Sequence, residues 1–286
     1  KTPKVLKILK ERAKNGFSPT SLSRYIQNPY EFYKRYVLGI EEIQGKSETI
    51  APNIFGTIIH DSLEHLYMPF IGQTLKKDDI ILMRGRVNDV VKVQFEKTYS
   101  MSSIEKGQNL IVYNVVLKYI MGVLDFEYEQ LKLHDIKILA LEKDVKVLLD
   151  VPNVHGPVYL KGKLDRVDKI DGNLRILDYK TGLVKPSDIQ ISDYAELVET
   201  DKKSKAFQLL CYALMFRDDD MKTTLKAGIL PVKNMQNGVI YFTLKGKGSI
   251  KNGLIDDDVL KKFKEVLGGL VATILDKDVP FKERET

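Results

Sequence analysis

Apolar residues recur at two different spacings along the chain, and the change of spacing divides it near residue 135. Helical spacing dominates the first part. Ser18 followed by Pro19 is typical of a helix start, with the serine as N-cap and the proline at the first helical position. Pro29 is expected to separate two short helices within residues 22–38. Further helices are predicted over residues 53–67 and much of 78–133.

Alternating and continuous apolar runs replace the helical spacing after residue 135. This order of helices, three strands, a helix and more strands predicts an α/β fold with a mixed central sheet flanked by helices. No linker-like segment interrupts the chain, so we expect one domain over residues 1–286. Its expected parts are mostly helical 1–135, a core 136–245 and a C-terminal helix 246–286. The predicted strands are 136–149, 158–170, 174–179, 225–232 and 238–244, and the predicted helices are 203–216 and 256–275.

A two-residue turn, Asp171-Gly172, lies between two of the predicted strands. This dipeptide is a strong signal for a tight β-hairpin. Counted outward from the turn, the register places Asp165 directly opposite Asp178, with Cβ atoms roughly 5 Å apart. Lys180 lies two residues beyond Asp178 and therefore shares its face of the sheet.

Two opposed carboxylates repel each other unless a cation compensates them, and hard divalent cations select carboxylate oxygens. An adjacent ammonium such as Lys180 can orient a water molecule or offset charge on a phosphoryl group. The alternative interpretation is a solvated strand end, because an Asp-Xaa-Lys triplet is common and a β-bulge would shift the register.

Charge and composition narrow the class of protein only a little. A net charge of +6 favours a polyanionic partner, although many basic proteins bind no nucleic acid. No run of 18 uninterrupted apolar residues is present, which argues against a membrane span. A single cysteine, Cys211, excludes an internal disulfide framework and a cysteine-rich metal site, and fits a cytoplasmic location. The first residues lack Met and an apolar leader, so we expect a piece of a longer protein.

Five short motifs occur in an order that resembles a known group. The hairpin carries Gly-Lys-Leu-Asp-Arg-Val-Asp at residues 162–168 and Leu-Asp-Tyr-Lys-Thr-Gly at 177–182. A helix-pair motif spans residues 18–39, Gly-xxx-His ends at His60, and Gln-xxx-Tyr joins Gln208 to Tyr212. Together they resemble the PD-(D/E)XK nuclease superfamily, and within it the branch that contains the RecB and AddB nuclease domains.

The resemblance implies a restriction-endonuclease-like α-β-β-β-α-β core with a helical N-terminal elaboration. It implies a metal-dependent DNA nuclease, expected to be an exonuclease acting in recombination and double-strand-break repair. Asp165 and Asp178 would be metal ligands, and Lys180 would position or activate the attacking water. His60 would add a ligand, which makes Mn²⁺ plausible beside Mg²⁺. The alternative for His60 is a helix-surface residue.

Three further residues are candidates for supporting roles. Glu142, on the strand before the hairpin, is either another site carboxylate or a solvent-facing strand residue. Gln208 and Tyr212 lie at i and i+4 and so share one helix face. In the family that face borders the metal site and the DNA, whereas an incidental polar stripe is the alternative.

The chain departs from many relatives at one cysteine position, and functions other than a DNA nuclease are kept as alternatives. Many relatives hold an iron–sulfur cluster through a cysteine at the position of Asn28, so no cluster is expected in this chain. The resemblance implies DNA as substrate and a helicase or helicase-like region as partner. The alternatives are a catalytically idle DNA-binding module, a stand-alone restriction-type endonuclease, and a metal-dependent phosphoesterase for small substrates.

Overall fold

A computed structural model of the chain describes residues 1–40, 52–97, 108–217, 224–246 and 249–284. Helices dominate the part before residue 135, as predicted, and the proline at position 29 separates two of them. Ser18 caps the second helix by accepting a hydrogen bond from the Ser21 amide at 3.1 Å. Asn28 caps the third through its side-chain oxygen. These helices are α1 (Pro3–Asn15), α2 (Pro19–Gln27), α3 (Pro29–Tyr36), α4 (Pro52–Tyr67), α5 (Lys77–Glu96) and α6 (Gln108–Gln130).

The central sheet is mixed, as predicted. Its strands are β1 (Ile136–Leu149), β2 (Val158–Ile170), β3 (Asn173–Lys180), β5 (Leu225–Pro231), β6 (Ile240–Tyr241) and β9 (Leu254–Ile255). Their order in the sheet is β1-β2-β3-β5-β6, with β9 also paired to β5. Strands β3 and β5 run parallel, while the other pairs in this sheet are antiparallel.

A second, three-stranded sheet corrects the prediction of one continuous strand over residues 238–244. The chain leaves the central sheet at Phe242, whose amide still bonds to Ala227 O at 2.9 Å. The next amide, of Thr243, bonds to the carbonyl oxygen of Ile189, the residue just before the first strand of the second sheet. The predicted strand is therefore divided between two sheets. The second sheet contains β4 (Gln190–Ile191), β7 (Thr243–Gly246) and β8 (Ser249–Asn252).

Helices cover both faces of the central sheet. One core cluster joins α1 and α2 to the later helices α8 (Ser204–Phe216) and α9 (Asp257–Leu275), and the other joins α4, α5 and α6 to the opposite face. Helices α8 and α9 match their predicted ranges to within one residue. Within the described residues there are also a short helix α7 (Glu196–Glu199) and four 3₁₀ turns, the turns being Met68–Phe70, Pro186–Asp188, Asp201–Lys203 and Met235–Asn237.

The β2–β3 hairpin has the predicted register. Its pairing runs from Ile170 opposite Asn173 to Arg166 opposite Leu177. Both turn residues have positive φ, 49° at Asp171 and 78° at Gly172, as a turn of the kind favoured in two-residue hairpins requires. The pairing ends one step before Asp165 and Asp178, where the two strands begin to separate.

A buried network of charged side chains lies under the hairpin, on the face covered by α4 and α6. Arg166 makes a bidentate contact with Glu127 of α6, at 2.6 and 3.0 Å. Arg166 and Arg175 both donate to Asp168, at 2.7 to 2.8 Å. The Tyr67 hydroxyl donates to Glu127 at 3.1 Å. Two acids and two arginines balance each other, which is what keeps ionised groups tolerable in a core.

Helix α6 is long and apolar enough, by length and composition alone, to cross a membrane. Core helices of globular domains meet the same test, and 22% of the apolar window of this helix is buried. Here Val116, Ile120 and Val123 are fully buried against the rest of the domain, and Glu127 on the same helix holds Arg166.

Candidate active site

Asp165 lies where β2 and β3 separate. Its Oδ2 accepts a hydrogen bond from the backbone amide of Tyr179 at 2.8 Å. The carboxylate thus takes the place of the next backbone partner in the sheet. Asp165 is only 8% exposed, so its carboxylate is held rigidly at the edge of the core.

His60 approaches this point from α4. Its Nε2 lies 3.0 Å from the carbonyl oxygen of Tyr179, and its Nδ1 lies 3.5 Å from Asp165 Oδ2 and 3.6 Å from Glu142 Oε1. One turn earlier, Gly56 lies beside the loop after β3. The Gly-xxx-His spacing therefore aligns α4 with the end of β3, and the structure places His60 at the site rather than on a free helix surface.

Glu142 reaches the site through an unusual backbone conformation. It lies in the middle of β1 with φ at 43°, a left-handed value that is uncommon outside glycine. Its neighbours Leu141 and Lys143 keep regular partners in β2. The Glu142 side chain is 11% exposed and also contacts Lys163, with Nζ 3.4 Å from Oε2. The structure thus places the Glu142 carboxylate beside His60 and Asp165, and its role there stays a prediction.

His60, Glu142 and Asp165 each present a ligand atom, and the three atoms lie within 4.8 Å of one another. Because a carbonyl can only accept, Nε2 of His60 carries a proton and donates it to Tyr179. In the neutral imidazole, Nδ1 is then a lone pair directed at the two carboxylates, an arrangement typical of metal-binding histidines. Two carboxylates and one imidazole fit Mg²⁺ or Mn²⁺, the nitrogen favouring Mn²⁺.

The pKa of His60 reflects the same crowding of negative charge. Burial alone would lower it, but hydrogen bonding to Asp165 and Glu142 outweighs burial and raises the pKa to about 10. In the absence of a cation, the imidazole is therefore protonated and holds the two carboxylates together. A bound cation would take over that role, with release of the Nδ1 proton.

Asp178 and Lys180 form the second half of the site. Lys180 Nζ donates to Asp178 Oδ1 at 2.9 Å and lies 2.8 Å from Oδ2. Asp178 is 1% exposed, and among the described residues Oδ2 has no hydrogen bond of ordinary geometry. Burial and the negative charge of the neighbouring Asp165 raise the pKa of Asp178 to about 6, although the Lys180 ammonium acts to lower it. The pKa of Lys180 is raised because the two carboxylates outweigh its burial.

Gln208 and Tyr212 line the opposite wall, on α8. Gln208 Nε2 donates to the Tyr212 hydroxyl at 2.7 Å. Burial and the charges of Asp178 and Asp165 raise the pKa of Tyr212. Glycine at position 162 permits this approach of α8 to β2, because an added Cβ would contact the Tyr212 ring at 3.4 Å and crowd the neighbouring methionine.

The sequence analysis missed three residues beside the site. Lys163 pairs with Glu142, and its position two residues before Asp165 on one strand is a signal that could have revealed it. Glu64 is one helical turn after His60, and burial together with Glu142 raises its pKa. Tyr179 contacts both Asp165 and His60 through its backbone, so its side-chain type gave no signal of this role.

Comparison with known proteins agrees with these features. A family model described as the PD-(D/E)XK nuclease superfamily matches residues 16–286. A protein from Clostridium perfringens, named as a subunit of an ATP-dependent helicase/deoxyribonuclease, is 29% identical over 290 residues, covering 90% of this chain and 23% of its own length.

Proteins of the same name in two other bacteria are also similar. The one from Alkaliphilus oremlandii is 25% identical and is matched over 88% of this chain and 23% of the relative. The one from Streptococcus uberis is 24% identical, over 70% of this chain and 18% of the relative. The chain thus spans about a quarter or less of the length of these relatives. The family match extends over nearly the whole sequence and includes every element of the site, and the chain belongs to the PD-(D/E)XK nuclease superfamily.

Proposed function

We propose that this chain is a divalent-metal-dependent deoxyribonuclease that hydrolyses phosphodiester bonds of DNA, acting as an exonuclease. One observation carries the proposal: the cluster of His60, Glu142 and Asp165 ligand atoms beside the Asp178–Lys180 pair. Family membership and the relatives named as parts of a helicase/deoxyribonuclease support the same reaction class.

His60, Asp165 and Asp178 would hold the cation, with Glu142 as an additional ligand. A bound Mg²⁺ or Mn²⁺ would supply Lewis-acid polarisation of the scissile phosphodiester and promote ionisation of the attacking water. The second oxygen of Asp178, Oδ2, has the Lys180 ammonium 2.8 Å away but no hydrogen bond of ordinary geometry from the described residues, which fits a role as ligand.

Lys180 would act as a charged donor. Its raised pKa keeps it an ammonium at neutral pH, so it would position the water and offset charge on the phosphate without taking a proton. Tyr212 and Gln208 would form the wall against which the DNA strand lies. The net charge of +6 supports binding through phosphate contacts, which predicts salt-sensitive association largely independent of base sequence.

We further propose that a helicase or helicase-like region delivers DNA to this domain in the cytoplasm during double-strand-break repair. The relatives' names and the small share of their length that this chain spans support such an arrangement.

The proposal is tested by incubating end-labelled linear single- and double-stranded DNA, and a closed circular duplex, with Mg²⁺, Mn²⁺ or EDTA. We expect metal-dependent degradation of linear DNA and little cleavage of the circle. Asp165→Asn and Lys180→Met should each lower the rate by a factor of about 100 or more. Lys169→Met is the matched control, since Lys169 lies on the same hairpin but is exposed near its turn.

The outcomes separate the alternatives. DNA binding without cleavage under either metal would contradict catalysis and favour an idle module. Cutting of the circle at fixed sequences would favour a restriction-type endonuclease. Hydrolysis of a nucleotide monoester alone would favour a small-substrate phosphoesterase. Equal rates in Lys180→Met and Lys169→Met would remove the lysine from the mechanism.

A further inference from the structure

Tyr179 touches two members of the metal cluster with its backbone. Its amide donates to Asp165 Oδ2 at 2.8 Å, and its carbonyl accepts from His60 Nε2 at 3.0 Å. These bonds set the direction of the Asp165 carboxylate and select the tautomer of His60 whose Nδ1 faces Glu142. The position of one peptide segment therefore determines the geometry of two ligands.

The side chain of Tyr179 points to the other face of the sheet, away from Asp178 and Lys180. It is 2% exposed and packs in the core formed with α4, α5 and α6. Its ring meets the His60 imidazole edge to face, with centroids 5.9 Å apart and an interplanar angle of 86°. Its hydroxyl lies beside Arg166 of the buried charged network, but among the described residues it has no hydrogen bond of ordinary geometry.

We propose that Tyr179 is a positioning residue for the metal site, acting through its buried ring. The ring fixes the end of β3 against α4, and this places the Tyr179 amide and carbonyl at the distances that orient Asp165 and His60. The hydroxyl takes no part. This inference rests on the proposed function, because it concerns the cation that the cluster would hold.

The fixed position matters because the strands separate here. Backbone pairing between β2 and β3 ends at Arg166 and Leu177, so the sheet itself no longer holds the segment at Tyr179 to β2. Parallel pairing with β5 continues, with Tyr179 opposite Leu230, but β5 contributes no side chain to the cluster of His60, Glu142 and Asp165. Packing of the ring on α4 is what relates the strand to the helix that carries His60.

The test measures Mn²⁺ binding without DNA, from the loss of the free-ion electron paramagnetic resonance signal, in four proteins: wild type, Tyr179→Phe, Tyr179→Ala and Phe95→Ala. Phe95 is the matched control. It is fully buried in the same core and stacks edge to face on Tyr113, away from the site. Thermal unfolding of all four proteins defines a temperature at which each one is folded.

We expect Tyr179→Phe to bind Mn²⁺ as the wild type does. Tyr179→Ala should raise the Kd about 10-fold or more, the usual effect of losing a group that orients a metal ligand. Phe95→Ala should lower the unfolding temperature to a similar extent while leaving the Kd unchanged.

Three results would overturn the inference. Equal Kd values in Tyr179→Ala and wild type would make the ring ordinary core packing. A similar loss in Phe95→Ala would show a general response to core damage. A loss in Tyr179→Phe would assign the effect to the hydroxyl. Failure of the proposed function looks different, because wild-type protein itself would then neither bind Mn²⁺ nor cleave DNA.

Discussion

The buried charged network under the hairpin makes a quantitative prediction about stability. Asp168 is fully buried and accepts three charge-assisted hydrogen bonds, one from Arg166 and two from Arg175. Asp168→Asn preserves the shape but leaves two buried guanidinium groups with Glu127 as the remaining counter-charge. Removing one partner from a buried ion pair costs about 3–5 kcal/mol, so we expect a loss of that size in the free energy of unfolding.

The complementary change tests whether charge balance is the cause. Arg175→Met alone leaves one excess negative charge and should also cost about 3–5 kcal/mol. The double variant Asp168→Asn/Arg175→Met restores balance, because Arg166 and Glu127 remain paired. Replacing both members of a buried pair is often nearly neutral, so the double variant should lose no more than about 3 kcal/mol.

Urea denaturation followed by far-ultraviolet circular dichroism gives the four free energies of this cycle. Glu129→Gln serves as the surface control. Glu129 pairs with Lys132 at 2.6 Å, but both side chains are exposed, and the change should cost about 0.5 kcal/mol or less. Additive losses of about 6–10 kcal/mol in the double variant would refute the reasoning, since the charges would then not act as a compensated pair.

Three further predictions concern individual groups. Glu142→Gly should be more stable than Glu142→Ala by about 1 kcal/mol in urea denaturation, because φ is 43°; the ordinary order, alanine above glycine, would show no strain. In EDTA, Asp178→Asn should raise the unfolding temperature at about pH 8 but not near pH 4. The folded pKa of Asp178, about 6, exceeds the unfolded value near 3.9, so ionisation of this carboxyl destabilises the native state as pH rises through that window. Equal gains at both pH values would contradict this prediction. The two guanidinium groups hold the pKa of Asp168 below its usual value despite burial, so its stabilising contribution is complete above about pH 5 and is lost as pH falls further. The stability gap between wild type and the Asp168→Asn/Arg175→Met variant should therefore narrow between about pH 5 and pH 2, and a constant gap would contradict this role of the carboxyl.

The hairpin could be predicted from the sequence because its determinants are local. A two-residue turn fixes the register, and a period of two then fixes which side chains share a face. Asp178 and Lys180 consequently lie together as predicted, and the five-pair register of β2 with β3 is confirmed. The mixed sheet and its flanking helices follow from element order and apolar spacing, which are also local signals.

Features that depend on distant contacts could not be predicted in the same way. Arg166, Asp168 and Arg175 resemble solvent-facing strand residues in the sequence. They become a balanced buried network because Glu127, 39 positions before Arg166, supplies the opposing charge to that arginine. The Glu142 side chain reaches the site because its backbone has a positive φ. Glutamate gives no indication of a positive φ in a sequence, so this placement could not be predicted.

The two faces of the hairpin differ in charge balance, and this difference predicts how many cations bind. The buried charged network on the face covered by α4 and α6 is neutral, because it contains two acids and two arginines. At the metal site, Asp165, Glu142 and Asp178 face the partly buried ammonium of Lys180. Lys163 and Glu64, which lie beside Glu142, carry opposite charges and offset each other. With His60 neutral, two negative charges remain, which is the charge of one divalent cation.

We therefore expect one Mn²⁺ per chain without DNA, since a second cation would place excess positive charge among these groups. A DNA phosphate would change that balance, so a second ion should bind only together with DNA. Isothermal titration calorimetry at about pH 7.5 measures the stoichiometry, and Glu142→Gln, which removes one charge while keeping the shape, should weaken binding without changing the count. Two tight sites in DNA-free protein would show that local charge balance does not set the occupancy.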